Sequence, residues 1–134
     1  MLRAKDIMTR DVVSVTKDTP VWQAIERMLE TEVAGLPVVA EDMSLVGIIT
    51  EKDVLELYGE AAQGKWKTVD DFMTSPAVFF EEDDTLEEIC LCLIENDFRR
   101  VPVTCDGKVV GIISRPDVAR RVLELIRQSA VAHS

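Results

Sequence analysis

Two four-residue segments carry the side chains best suited to holding a ligand. Thr50-Glu51-Lys52-Asp53 and Ser114-Arg115-Pro116-Asp117 each place a hydroxyl three residues before a carboxylate. At a helix start that spacing makes a capping box: the hydroxyl accepts from the N3 amide, and the carboxylate accepts from the N-cap amide. Such a cap is worth about 1 kcal/mol. The same two groups can also face a groove. A carboxylate offers two acceptor oxygens, which suits the paired hydroxyls of a ribose, and a helix N-terminus favours a phosphate. Gly47 and Gly111, just upstream, permit backbone to approach a ligand closely. The capping and binding readings can hold together.

Little else points to chemistry. His133 is the sole histidine, and no Ser–His or Cys–His pair is placed for nucleophilic catalysis. Cys90 and Cys92 do not make a closed zinc site, which takes four ligands. The run Glu81-Glu82-Asp83-Asp84 precedes a helix and suits its positive end. No catalytic residue, metal site or required cofactor is expected.

The elements that position these turns come as a repeat. Asp6-Ile7-Met8-Thr9 recurs as Asp71-Phe72-Met73-Thr74, Leu36-Pro37-Val38-Val39 as Val101-Pro102-Val103-Thr104, and Gly47-Ile48-Ile49-Thr50 as Gly111-Ile112-Ile113-Ser114. The offsets are 65, 65 and 64, and Val13 matches Val78 while Thr19 matches Thr85. Ordered landmarks with so little drift identify two copies of one unit. Each copy reads as strand, helix, strand, strand, helix, an α/β (α+β) pattern. Val12 to Val15 form a first strand, and Thr19 caps a helix with Pro20 at its first position. Ala24, Ile25, Met28 and Leu29 are that helix's core face, matched in copy two by Leu86, Ile89, Cys90, Leu93 and Ile94. Pro37 to Val39 and Leu45 to Ile49 are strands, and Asp106-Gly107 is a two-residue hairpin signal. Met8 and Met73 are read as core. The boundaries are 1–58 and 68–127 for the copies, 59–67 for a linker, and 128–134 for a frayed tail.

Bulk properties are those of a small globular chain. The chain has 134 residues, 47% of them hydrophobic and 30% charged, with a formal net charge of −10. That charge disfavours nucleic acid as a partner. No stretch approaches the roughly 20 apolar residues of a membrane span. Three cysteines without framework spacing suggest reduced thiols and a cytoplasmic setting.

The ordered set D-x-M-T, h-P-V and G-I-I-[TS]-x-x-D, occurring twice, resembles the cystathionine-β-synthase-type (CBS) domain. The resemblance covers roughly residues 3–57 and 68–126. It implies two β-α-β-β-α units with pseudo-two-fold symmetry, packed sheet to sheet as a Bateman module. It also implies an adenosine ligand: AMP, ADP, ATP or S-adenosylmethionine. Carried over residue by residue, a first cleft takes Ile48, Thr50 and Asp53 with Ala77, Val78, Phe98, Arg99, Arg100 and Pro102. Arg99 and Arg100 would meet phosphate there. A second, weaker cleft takes Ile112, Ser114 and Asp117 with Val12, Val13, Val33, Ala34, Gly35 and Pro37. Ala34 and Gly35 replace the arginine pair at this second cleft. The function so implied is that of a stand-alone, non-catalytic regulatory pair, a homodimer acting on a partner protein. The alternative is a ligand-free dimerisation or interaction module.

Overall fold

A computed structural model gives the fold and describes residues 1–56 and 67–133. The expected linker lies almost wholly outside the described residues. The helices are α1 (Ala4–Ile7), α2 (Val21–Thr31), α3 (Glu51–Glu56), α4 (Leu86–Glu95) and α5 (Arg115–His133). The strands are β1 (Gly35–Val39), β2 (Leu45–Thr50), β3 (Phe80–Glu81), β4 (Arg100–Cys105) and β5 (Lys108–Ser114). A short 3₁₀ turn spans Val69–Asp71. β1 and β2 form an antiparallel pair; β3, β4 and β5 form a three-stranded sheet in which β3 runs parallel to β4.

The chain divides into two compact units, and they do not follow the sequence halves. Unit one holds residues Met1–Val12, Phe79–Cys105 and Val110–Ser134; unit two holds Val13–Val78 and Asp106–Val109. Each copy's leading D-x-M-T segment therefore belongs with the other copy's helices and strands. In unit one, Ala4 N–H donates to Asp84 O at 2.8 Å, Leu86 N–H to Leu2 O at 3.0 Å, and Thr9 N–H to Ile112 O at 2.8 Å. In unit two, Val69 N–H donates to Thr19 O at 2.9 Å, Val21 N–H to Lys67 O at 3.0 Å, and Thr74 N–H to Ile48 O at 2.8 Å. The core of unit one gathers Ala4, Ile7 and Met8 with Phe80, Ile89, Leu93, Val101, Val103, Ile113 and Val118. That of unit two gathers Val15, Val21, Ala24, Met28, Leu36, Val38, Ile49 and Val69, with Met73 packed against it. Met8 is thus a core residue, and Met73 packs, partly buried, against the other core.

The expected first strand, Val12 to Val15, is reduced to one bridge between Val15 and Val38. The central prolines explain this. Val15 N–H donates to Pro37 O at 3.1 Å, and Val39 N–H donates to Val15 O at 2.8 Å. Extending the parallel ladder upstream needs the N–H of residue 37, and proline has none. Pro102 imposes the same stop in copy two, where β3 begins only at Phe80, opposite Val103.

Several boundaries move for local reasons. Thr19 does not cap α2; its hydroxyl oxygen accepts from Thr16 N–H at 3.1 Å, and Pro20 becomes the N-cap. Thr85 does cap α4, accepting from Glu88 N–H at 3.2 Å. Leu29 and Ile94 are 74% and 78% exposed, so the apolar helix face is narrower than the expected core stripe. α5 continues through His133, in a segment with Ala130 and Ala132 and no Gly or Pro. Asp106 and Gly107 both have positive φ, 52° and 80°, as a two-residue hairpin of this type demands. Among the described residues, no helix is long and apolar enough to cross a membrane.

Candidate functional site

In unit two the Gly47-to-Asp53 segment runs from the end of β2 into α3. Thr50 N–H donates to Asp53 Oδ2 at 2.9 Å, and the Thr50 hydroxyl donates to the same oxygen at 3.0 Å. Asp53 N–H returns a bond to Thr50 Oγ1 at 3.3 Å. The capping box is therefore closed. Asp53 is only 8% exposed, yet among the described residues its second oxygen receives just one long bond, 3.3 Å from the Thr74 hydroxyl. Thr74 reaches that place because its backbone pairs with Ile48, exchanging bonds of 2.8 and 3.0 Å. Glycine at position 47 makes the crossing possible: a Cβ there would lie 2.7 Å from Thr74 O and 3.0 Å from Met73 Sδ. Such a separation is inside contact distance for any side chain.

Unit one repeats this construction with different chemistry. Ser114 N–H donates to Asp117 Oδ2 at 2.9 Å, and Asp117 N–H donates to Ser114 Oγ at 3.3 Å. Thr9 pairs with Ile112 through bonds of 2.8 and 2.9 Å, and a Cβ on Gly111 would collide with the Met8 side chain. The second oxygen of Asp117, however, carries a guanidinium: Arg120 Nη1 donates to Oδ1 at 2.8 Å. Arg100 stands near the same carboxylate. Burial lowers its affinity for the proton below the ordinary arginine range, and the Asp117 charge opposes that shift. Among the described residues, the buried Arg100 Nε has no hydrogen-bond partner.

The sequence-predicted residues fall out as follows. Unit two brings Ile48, Thr50, Asp53, Ala77 and Val78 into one body, and also holds Val13, Val33, Ala34, Gly35 and Pro37. Unit one holds Ile112, Ser114 and Asp117 with Val12, Phe98, Arg99, Arg100 and Pro102. Arg100 thus shares a unit with Asp117, not with Asp53. Gly35 occupies the matching position in copy one, directly across from Thr50 in the β1–β2 register. Pro37 and Pro102 are fully buried, which suits the strand-stopping role better than ligand contact. The Ile48 and Ile112 backbones are engaged by Thr74 and Thr9. Ala77 and Val78 precede β3 and lie outside any strand. Ala34 O accepts from Glu51 N–H at 2.9 Å and so closes the start of α3. Arg115 is committed to the loop before β4, donating from Nε to Phe98 O at 2.9 Å and from Nη2 to Asn96 O at 3.2 Å.

Sequence reasoning missed Thr74 and Arg120. A signal for Thr74 was available, since its hydroxyl is retained in both D-x-M-T segments. Arg120 had none, because its partner in register is Glu56. Among the described residues, no group of three or more His, Cys, Asp or Glu is placed to hold a metal ion.

A duplicated unit with exchanged leading segments and a hydroxyl–x–x–carboxylate turn closing each copy is the build of a tandem CBS pair. The chain belongs to the CBS domain family, whose pattern matches residues 4–60 and 69–124. It is 33% identical to the CBS domain-containing protein CBSX1, chloroplastic, of Arabidopsis thaliana over 91% of this chain, and spans 64% of that relative's length. It superposes on the crystal structure of CBSX2 in complex with AMP with a TM-score of 0.85 and 33% identity, covering 93% of this chain and 98% of that one. The CBS domain pair of protein MJ0100, in complex with 5-methylthioadenosine and S-adenosyl-L-methionine, superposes with a TM-score of 0.77 and 27% identity, covering 91% and 96% of the two chains.

Proposed function

We propose that this CBS pair binds an adenosine compound and acts as a non-catalytic ligand sensor. The observation that carries the reading is the Thr50–Asp53 turn. It presents a nearly buried carboxylate whose outer oxygen is held, among the described residues, only by the long Thr74 bond. It does so in a chain similar to structures that hold AMP, 5-methylthioadenosine and S-adenosyl-L-methionine. A ribose hydroxyl can replace the Thr74 hydroxyl on Asp53 Oδ1 without leaving a charge unpaired. The base would lie along the extended segment at Ala77 and Val78 in the same unit. Signalling follows from any difference in ligand affinity between two arrangements of the chain, and no larger effect is available to it. The target of the signal is a partner protein.

The same reading assigns a homodimer to apolar residues that the helices leave exposed. Leu29 on α2 and Ile94 on α4 are the repeat-matched pair (94 − 29 = 65). Sedimentation of a Leu29→Glu/Ile94→Glu variant as a monomer supports that assignment; an unchanged dimer removes it. The free thiols Cys90 and Cys92 suit a reducing, cytoplasmic setting.

A thermal-shift screen with AMP, ADP, ATP and S-adenosylmethionine tests ligand binding. Ligand at 100 times its Kd adds about 2.7 kcal/mol to stability. A rise in Tm of several degrees, reduced by Asp53→Asn, is expected. No rise with any of them would leave the turn as a helix cap and make the chain a ligand-free interaction module.

A further inference from the structure

The two turns match in backbone geometry and differ in what covers the outer carboxylate oxygen. On Asp53 it is a neutral hydroxyl at 3.3 Å; on Asp117 it is the Arg120 guanidinium at 2.8 Å. The inner oxygens each accept the N–H of the turn's first residue at 2.9 Å, and that of Asp53 also accepts the Thr50 hydroxyl at 3.0 Å. Arg120 lies one turn into α5 and occupies the register of Glu56 (120 − 56 = 64, the offset that relates Ser114 to Thr50). Copy one has no cation at that place, so it cannot form the same contact. The Arg120 side chain is 68% exposed and that of Asp117 only 12%, so the guanidinium lies over a carboxylate that has little other access to solvent.

We propose that Arg120 is a built-in competitor that masks Asp117 against neutral hydroxyl ligands and so sets the difference in affinity between the two turns. This rests on the reading of the turns as ribose-binding groups. At Asp53 an incoming ribose exchanges one hydroxyl for another. At Asp117 it must displace a charge-assisted bond, the stronger kind. The Arg120 end of the pair is exposed to solvent, and an ion pair so placed is weak and screened by salt. The mask is therefore displaceable, and ionic strength controls it. Turn one takes a neutral nucleoside with an affinity indifferent to salt. Turn two takes it more weakly at low salt and gains as salt rises.

The experiment is calorimetric titration of the full chain with adenosine, which carries no charge of its own, at low and high sodium chloride. It is done on Asp53→Asn, where only the second turn reports, and on Asp53→Asn combined with Arg120→Gln or Arg120→Lys. Arg120→Gln is expected to bind adenosine about two- to five-fold tighter at low salt, the range an exposed pair supports, and to lose the salt dependence. Arg120→Lys should retain part of both effects. Unchanged or weaker binding by Arg120→Gln, or a salt dependence that survives it, overturns the proposal. If the unsubstituted chain binds adenosine and Asp53→Asn does not, the second turn is no ribose site and this inference falls alone. If the unsubstituted chain binds no adenosine compound at all, the proposed function falls with it.

Discussion

The hydroxyl of Thr74 ties the leading segment of copy two to the carboxylate of copy one, and a double-mutant cycle can weigh that tie. Thr74→Val keeps the side-chain shape and the two backbone bonds to Ile48, and removes only the 3.3 Å contact to Asp53 Oδ1. A net hydrogen bond is worth about 0.5–1.5 kcal/mol, and this one is long, so roughly 0.5–1 kcal/mol is expected from Thr74→Val alone. Asp53→Asn keeps one oxygen for Thr50 N–H but forfeits the charge and the second acceptor, for about 1–2 kcal/mol. In the double variant the Thr74 contact has already been lost once. The combined cost should therefore fall short of the sum by about 0.5–1 kcal/mol, which is the coupling energy. Urea unfolding of the four proteins measures it, with equal slopes showing that only stability has moved. Additive costs, within about 0.3–0.5 kcal/mol, would mean that the latch is held by backbone pairing alone and that Asp53 Oδ1 is free for a ligand from the outset.

Three further outcomes are expected. Gly47→Ala should cost about 1–3 kcal/mol in urea unfolding, because its Cβ meets the Thr74 carbonyl at 2.7 Å and backbone cannot give way as a side-chain tip can; a neutral substitution would show that the crossing is loose. Thr104→Val should raise Tm, since the Thr104 hydroxyl is buried with no partner among the described residues, Val39 fills the matching place in copy one, and an unsatisfied buried hydroxyl costs about 1–3 kcal/mol; a lower Tm refutes this. The bond from Ser44 holds the exposed Asp42 carboxyl below the ordinary aspartate range, so its contribution is present above that range and lost as pH falls through the depressed folded value; Tm measured through the acid range should fall less steeply for Asp42→Asn than for the unsubstituted chain, and parallel curves would exclude the contribution.

The repeat, the helix–strand order and the two capping turns were all legible in the residues, because each rests on local spacing. The hydroxyl, the carboxylate and the glycine that make each turn lie within seven residues of one another. What the sequence hid was pairing across long separations. Nothing local says that Met8 belongs on Gly111, or that Thr74 belongs on Asp53. Nor does anything local say that Arg100 shares a compact unit with Asp117. The shortened first strands were readable in principle: a proline in the strand beside them leaves no donor for the ladder. The narrower helix face was not, since Leu29 and Ile94 fit the helical period and yet stay exposed.

The exchanged leading segments bear on why the unit comes in pairs at all. A single copy made by itself would carry a leader whose hydrogen-bonding place is on some other copy. Two separate copies could satisfy each other only by meeting, at a cost that rises on dilution. Joining them in one chain makes the meeting intramolecular and removes its dependence on dilution. Once duplicated, neither copy can be deleted without orphaning the leader of the survivor. The duplication is thereby self-preserving, because each half of the molecule completes the other.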